Sequence, residues 1–325
     1  MHPAFSVIFL TTLIGTGQGL FLALYTGESY AAVELLPDQP HKFYVAGSIV
    51  SVLLLIGGLL ASFFHLGHPE RAWRAASKWR TSWLSREVIV LPVVIGLVFI
   101  YGLLHFLGWD VDMIGLDSRF QGLLTLIVGA AAVGATFALY ISTGMIYACI
   151  KFLQEWATPL TVINYTLLGT ASGFTLATGF SDYFVPELRN FYGTWAIIIT
   201  LTAMVTRTAS LIRNARIRRR SSLQSAIGVR HTRISQRSQG LMGGSFNTRE
   251  FFHQAPMMIF RSIKWIFMLL TFVVPVMLII WGLASGSTVT LLSAFIVQYA
   301  GLIAERWFFF AQANHPQNLY YQTVG

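Results

Sequence analysis

The chain has 325 residues, 55% of them hydrophobic and 11% charged, with a formal net charge of +9. A soluble domain carries about 25% charged residues, and several stretches here exceed about 18 nearly uncharged residues, enough to cross a hydrocarbon layer of roughly 30 Å. This excludes a soluble globular domain and indicates an all-α integral membrane protein. A single cysteine, Cys149, excludes a disulfide framework and any iron–sulfur cluster built from this chain alone.

In chain order, hydropathy predicts eight spans at about 4–26, 43–65, 87–108, 120–142, 159–180, 191–210, 262–284 and 288–310, forming one helical membrane domain over 1–325. The first lacks a basic leader and is too long for a signal-peptide core, so it reads as a retained span. Its "GTGQG" at 15–19 superficially resembles a dinucleotide loop, but it sits inside an apolar helix with no strand before it. The pairs Gly15 and Gly19, Ala130 and Gly134, and Gly169 and Gly173 have the four-residue spacing that suits close helix packing in lipid. The one long polar segment is 211–261, a basic connector in which arginines alternate with Ser, Gln and Gly.

The charges are unevenly placed. Of 22 lysines and arginines, 19 fall in the connectors 66–86, 143–158 and 211–261 or at adjoining span ends, leaving Lys42, Arg119 and Arg189 on the other side. Basic residues collect on the cytoplasmic face, so both termini are expected in the cytoplasm. Topology then accounts for most of the positive charge. The expected partners are lipid headgroups and a docked protein, and not nucleic acid.

The connector "FFHLGHPERAWRAASKWRTSWLSREVIV" at 63–90 concentrates this pattern. Pro69 suits a first helical turn. At helical spacing Ala72, Ala75, Ala76, Trp79 and Trp83 share one face, and Arg71, Arg74 and Lys78 another, which predicts a short helix lying in the membrane interface. His65 closes the second span and Glu87 opens the third. Ionisable groups at a membrane edge are costly unless paired or functional. Arg86 or Arg80 would neutralise Glu87 and His65 would cap its own helix, or the pair serves chemistry; the residues alone leave both readings open.

The chemistry that uses such a pair is quinone redox. A quinone is a flat apolar ring whose two oxygens gain protons on reduction, so its site needs an imidazole or carboxyl at an oxygen, aromatic walls and access from lipid. His65, with an unperturbed pKa near ~6.5, suits proton donation, and Trp83 supplies a wall.

"HLGHPERAWRAASKWRTSWLSREV", above all its "RTSWLSRE", resembles the signature connector of the membrane-anchor subunits of the dimethyl sulfoxide reductase family, and the N-terminal "HPAFSVIFLTTLIG" extends the resemblance along the chain. It implies an anchor with no metal or haem of its own, which exchanges electrons between the quinone pool and two partners. Those partners are a molybdopterin catalytic subunit and a four-cluster iron–sulfur subunit. The family's quinone-site histidine and glutamate correspond to His65 and Glu87, with Trp83, Arg80 and Arg86 beside them. Arg71, Arg74, Lys78, Arg218, Arg219 and Arg220 are the expected contacts to partners or lipid. The tail "ERWFFFAQANHPQNLYYQ" is more similar to the cytoplasmic sulfite dehydrogenase branch. The resemblance therefore implies sulfite oxidation coupled to ubiquinone or menaquinone in a bacterial inner membrane, with partners on the cytoplasmic face. The alternative within the family is quinol oxidation by a dimethyl sulfoxide reductase.

Two other classes make different demands on a sequence. A secondary transporter would carry broken helices and midplane charges, whereas the deepest polar residue here is Gln18, which reads as a packing contact. A haem needs two histidines at matching depth. His65 and His105 lie near opposite faces, leaving His2 with His65 as the one pair on the same side.

Overall fold

The computed structural model describes residues 3–108, 123–217 and 257–313, with a few isolated positions between 224 and 233. Helices occupy all eight expected segments, and no strand occurs among the described residues. They are α1 Phe5–Ala32, α2 His41–Phe63, α3 Trp83–Leu107, α4 Leu123–Ala148, α5 Pro159–Phe184, α6 Arg189–Ala215, α7 and α8 Thr288–Ala311. α7 comprises Met257–Met268, a π turn Leu269–Val273, and Val274–Ser285. Among the described residues, seven helices are long and apolar enough to cross a membrane; α5 is as long as its neighbours but is not among the seven.

Local chemistry sets the ends. The Ser82 hydroxyl caps α3 by accepting from the Ser85 amide, Thr158 does the same for α5 from Leu160, and Ser287 for α8 from Thr290. Pro159 occupies the first turn of α5, where its missing N–H costs nothing. Gly108 ends α3 at φ 61°, a left-handed conformation that glycine adopts without a Cβ penalty. The π turn of α7 also has a cause. Pro275 has no N–H to offer the carbonyl four residues earlier, and the Thr271 carbonyl accepts instead from Gln298 Nε2 at 3.2 Å.

α1 and α5 form the centre. α1 packs against α2, α4, α5 and α8, and α5 against α1, α4, α6 and α8. That position explains the polar sequence of α5, which faces protein and satisfies its hydroxyls locally: Thr175 and Thr178 each donate to the carbonyl four residues back. Glycine sets the spacing. A Cβ on Gly19 would strike the Gly169 carbonyl, and one on Gly173 would strike the Gly19 backbone, so the expected pairs 15/19 and 169/173 interlock α1 with α5. The third expected pair does not pack this way. Ala130 and Gly134 are exposed, and nothing lies within 4 Å of a Cβ at Gly134. Gly129, one position before Ala130, is the residue that turns inward, against Tyr25 and Tyr101. Gln18 is buried and donates to the Thr136 carbonyl at 2.9 Å, a packing contact as expected.

Candidate functional site

The connector leaves α2 after Phe63 and winds over Pro69–Lys78 as a 3₁₀ helix lying against α3. The expected faces largely hold, with Ala72, Ala75, Ala76 and Trp83 half-buried and Arg71, Arg74 and Lys78 exposed. The coil is 3₁₀, in which side chains three apart eclipse, and Trp79 departs from the expected face, 53% exposed. Trp83 belongs to α3, as its first residue.

Arg86 does not neutralise Glu87. Its Nε donates to the Trp79 carbonyl at 2.9 Å and its Nη2 to the Arg80 carbonyl at 3.0 Å, while its guanidinium stands 4.0 Å from the centroid of the Trp83 ring. It therefore ties the end of the connector to the start of α3, a cation–π contact adding to two hydrogen bonds. Arg80 lies over Trp79 at 5.4 Å, so neither arginine serves as the expected counterion. On the exposed face, Arg71 Nε is 3.6 Å from Glu70 Oε1, Arg74 lies over Trp73, and the Lys78 carbonyl accepts the Thr81 and Ser82 amides that close the turn. Arg218, Arg219 and Arg220 lie outside the described residues.

Glu87 is one turn into α3 and points into the bundle, 7% exposed, where Thr143 Oγ1 of α4 donates to its Oε1 at 2.6 Å. His65 sits in the turn after α2, on the exposed side. Partial desolvation there lowers its imidazole below the ordinary 6.5. Among the described residues no hydrogen bond or ion pair joins His65 to Glu87. The connector thus brings the two to one end of the bundle but not into contact, because α3 turns its glutamate inward.

Behind Glu87 lies a charge layer that sequence reading missed. Arg207 of α6 and Arg306 of α8 share Glu305, at 2.7 Å from Arg207 Nε to Oε1 and 2.5 Å from Arg306 Nε to Oε2, and all three are buried. Arg306 also lies 4.8 Å from the centroid of Phe309. Its guanidinium also stands 5.8 Å from the centroid of Tyr165, and Tyr147 packs edge-on against Phe309 and Phe310 beside it. In the sequence Arg207 and Arg306 are indistinguishable from other arginines at the basic face. Burying them without Glu305 would be prohibitive, and the adjacent "ER" at 305–306 in an apolar span is the one signal that marks them.

A helical membrane bundle with a buried Arg–Glu–Arg cluster near one end, next to a collar of Arg and Trp, is a polytopic membrane protein with buried polar groups among its helices. The particular family follows from comparison: the chain belongs to the family described as "DMSO reductase anchor subunit (DmsC)", whose model matches residues 1–321. It is also 55% identical over 324 residues to a protein of Allochromatium vinosum that is named as a sulfite dehydrogenase subunit, covering 100% of both chains. The chain is therefore an anchor subunit of a multi-subunit oxidoreductase.

Proposed function

We propose that this chain is the quinone-reactive anchor of a sulfite dehydrogenase, passing electrons from sulfite oxidation in the cytoplasm to ubiquinone or menaquinone. The observation that carries this reading is the full-length 55% identity to a protein named for sulfite dehydrogenation. A molybdopterin subunit removes two electrons from sulfite as water adds to give sulfate and two protons, and a four-cluster iron–sulfur subunit relays the electrons. With α5 counted as an eighth span, both termini share one side with the basic connectors, and the lysine and arginine excess there supports reading that side as the cytoplasmic face of a bacterial inner membrane, where these partners dock on Arg71, Arg74, Lys78, Arg218, Arg219 and Arg220. That asymmetry favours sulfite oxidation over an exported dimethyl sulfoxide reductase.

Reduction of the quinone ring takes two electrons and two protons. Glu87, shielded from water and held by Thr143, supplies a proton route from inside the bundle. His65, outside the helix ends, supplies one from the cytoplasmic surface. Trp83, pinned by Arg86, walls the site, and Arg80 borders it. In this reading His65 and Glu87 serve different oxygens of one ring. Glu87→Gln preserves shape and removes the titrating group, so quinone-linked turnover should fall by roughly 10²–10⁴. Sulfite oxidation with a soluble artificial acceptor should persist, and His65→Ala should behave alike. Loss of both activities together would make Glu87 a purely structural residue, and full quinone activity in both variants would move the site elsewhere.

A further inference from the structure

Towards the end of the bundle away from the connector, α2 and α3 leave between them an apolar cleft of about 330 Å³ that the quinone reading does not use. Val45, Ile49 and Leu53 of α2 and Phe99, Leu103 and Phe106 of α3 wall it. Ile49, Leu53, Phe99 and Phe106 are exposed, so the cleft opens on the outer, lipid-facing side of two spanning helices. A Cβ at Gly102 would strike Ser48 Cβ, so the helices touch at the floor of the cleft. Ser48 lines that floor, is 2% exposed, and its hydroxyl has no hydrogen-bond partner among the described residues. A buried hydroxyl normally has one, so this donor marks a place for an acceptor that the chain does not supply. Lys42 stands three residues before Val45 and seven before Ile49, on the same face of α2. It is exposed and makes no ion pair among the described residues. No side chain caps the first turn of α2, so its first N–H groups add partial positive charge at that end.

We propose that this cleft binds one glycerophospholipid, with an acyl chain between α2 and α3, a glycerol-ester carbonyl on Ser48 and the phosphate on Lys42. Depth supports the assignment. Along α2, Ser48 lies about 9 Å and Leu53 about 16 Å from Lys42 at the helical rise per residue. The hydrocarbon of one leaflet extends about 15 Å, half of a core of roughly 30 Å. Headgroup, ester and chain of a single lipid therefore meet charge, donor and apolar wall in that order. A quinone ring fits less well, because it carries two carbonyl oxygens and the cleft offers one donor, Ser48. Asp38, exposed just before α2, disfavours a doubly charged phosphate monoester, which leaves a phosphodiester headgroup. The bound lipid fills the cleft and pairs the one polar group at its floor. Lys42, which topology leaves on the sparsely basic side, thereby gains a partner.

The test is native mass spectrometry of the delipidated full-length chain in detergent. It is titrated with dioleoylphosphatidylglycerol and, separately, with dioleoylglycerol, which has the same chains and no phosphate. One saturable phosphatidylglycerol site is expected. Dioleoylglycerol should bind about tenfold more weakly, having lost both the lysine and the helix N-terminus. Lys42→Gln should weaken the phospholipid about fivefold, the usual effect of one lysine at a lipid surface. Ile49→Trp fills the cleft from an exposed position, so the variant keeps its fold and should lose saturable binding. Ser48→Ala should weaken binding without lowering the melting temperature, since it deletes an unpaired donor. Val289→Trp, at an exposed position of α8 outside the cleft, should change nothing. Absence of a saturable site in the wild type, equal binding of the two lipids, unchanged binding in Ile49→Trp, or loss in Val289→Trp would each overturn the site. Displacement of the phospholipid by equimolar ubiquinone would also overturn it and give the cleft to a quinone. None of these outcomes depends on quinone turnover.

Discussion

Thr143 donates its hydroxyl to Glu87 across the α3–α4 interface, Oγ1 to Oε1 at 2.6 Å, and this is the one hydrogen bond to that buried carboxyl among the described residues. A hydrogen bond to a charged group contributes about 1.5–3 kcal/mol. Thr143→Val keeps the volume and removes the donor. Quinone-linked turnover should fall roughly 10–100-fold by that magnitude, while turnover with a soluble acceptor stays at the wild-type level. Equal quinone turnover in the two proteins would show that Glu87 works without its partner.

His65 gives a pH signature. Its folded-state pKa lies below 6.5 because burial disfavours the imidazolium, so the ring is neutral at neutral pH and becomes a proton donor only as pH falls toward that lowered value. In the direction of quinone reduction, turnover should therefore rise on acidification from about pH 8 towards about 6, below the ordinary ~6.5. His65→Ala should flatten this limb without shifting the profile obtained with an artificial acceptor. An identical limb in both proteins would assign the dependence to another group.

The glycine contacts predict a contrast between two identical substitutions. Gly19→Ala drives a methyl into the Gly169 carbonyl, whereas Gly134→Ala meets nothing within 4 Å. Overpacking of this kind costs about 1–3 kcal/mol. Thermal unfolding in detergent should show a lowered midpoint for Gly19→Ala and an unchanged one for Gly134→Ala. Equal midpoints would contradict the α1–α5 contact.

Glu305 is the single carboxylate between two buried guanidiniums. Glu305→Gln keeps the shape but leaves Arg207 facing Arg306 without it, and removal of one partner from a buried ion network costs about 3–5 kcal/mol. The variant should show a large loss of folded protein and a lowered unfolding midpoint, with both artificial-acceptor and quinone activity falling in proportion to the protein recovered. Wild-type stability would mean that water reaches the layer.

The sequence by itself determined the class and the approximate place of the helices seen among the described residues. Long apolar runs admit one backbone solution in lipid, the helix, since every N–H and C=O must be satisfied within the segment. The connector "RTSWLSRE" and the tail similarly carried the family. Helix ends fell where expected at Pro159 and at Gly108, whereas α3 begins at Trp83, four residues before the expected start at 87, because Ser82 caps it there. Likewise α1 runs on to Ala32, six residues beyond the expected end, because Gly27 to Tyr30 lower the hydropathy without breaking the helix.

Only the tertiary structure decided direction and partnership. Hydropathy says that residue 87 lies at a membrane edge, but whether its carboxyl meets His65, Arg86 or Thr143 depends on the rotation of α3 about its axis, and that is set by packing against α4. The same holds for Gly134, which a four-residue spacing marks as a contact although Gly129 is the residue on the buried side. It holds for Arg207 and Arg306, which look like topology signals until Glu305 is seen between them. It holds for His41 and His105, which meet because α2 and α3 run antiparallel and side by side. Spacing along one helix fixes which residues share a face; which neighbour that face meets is a property of the assembled bundle.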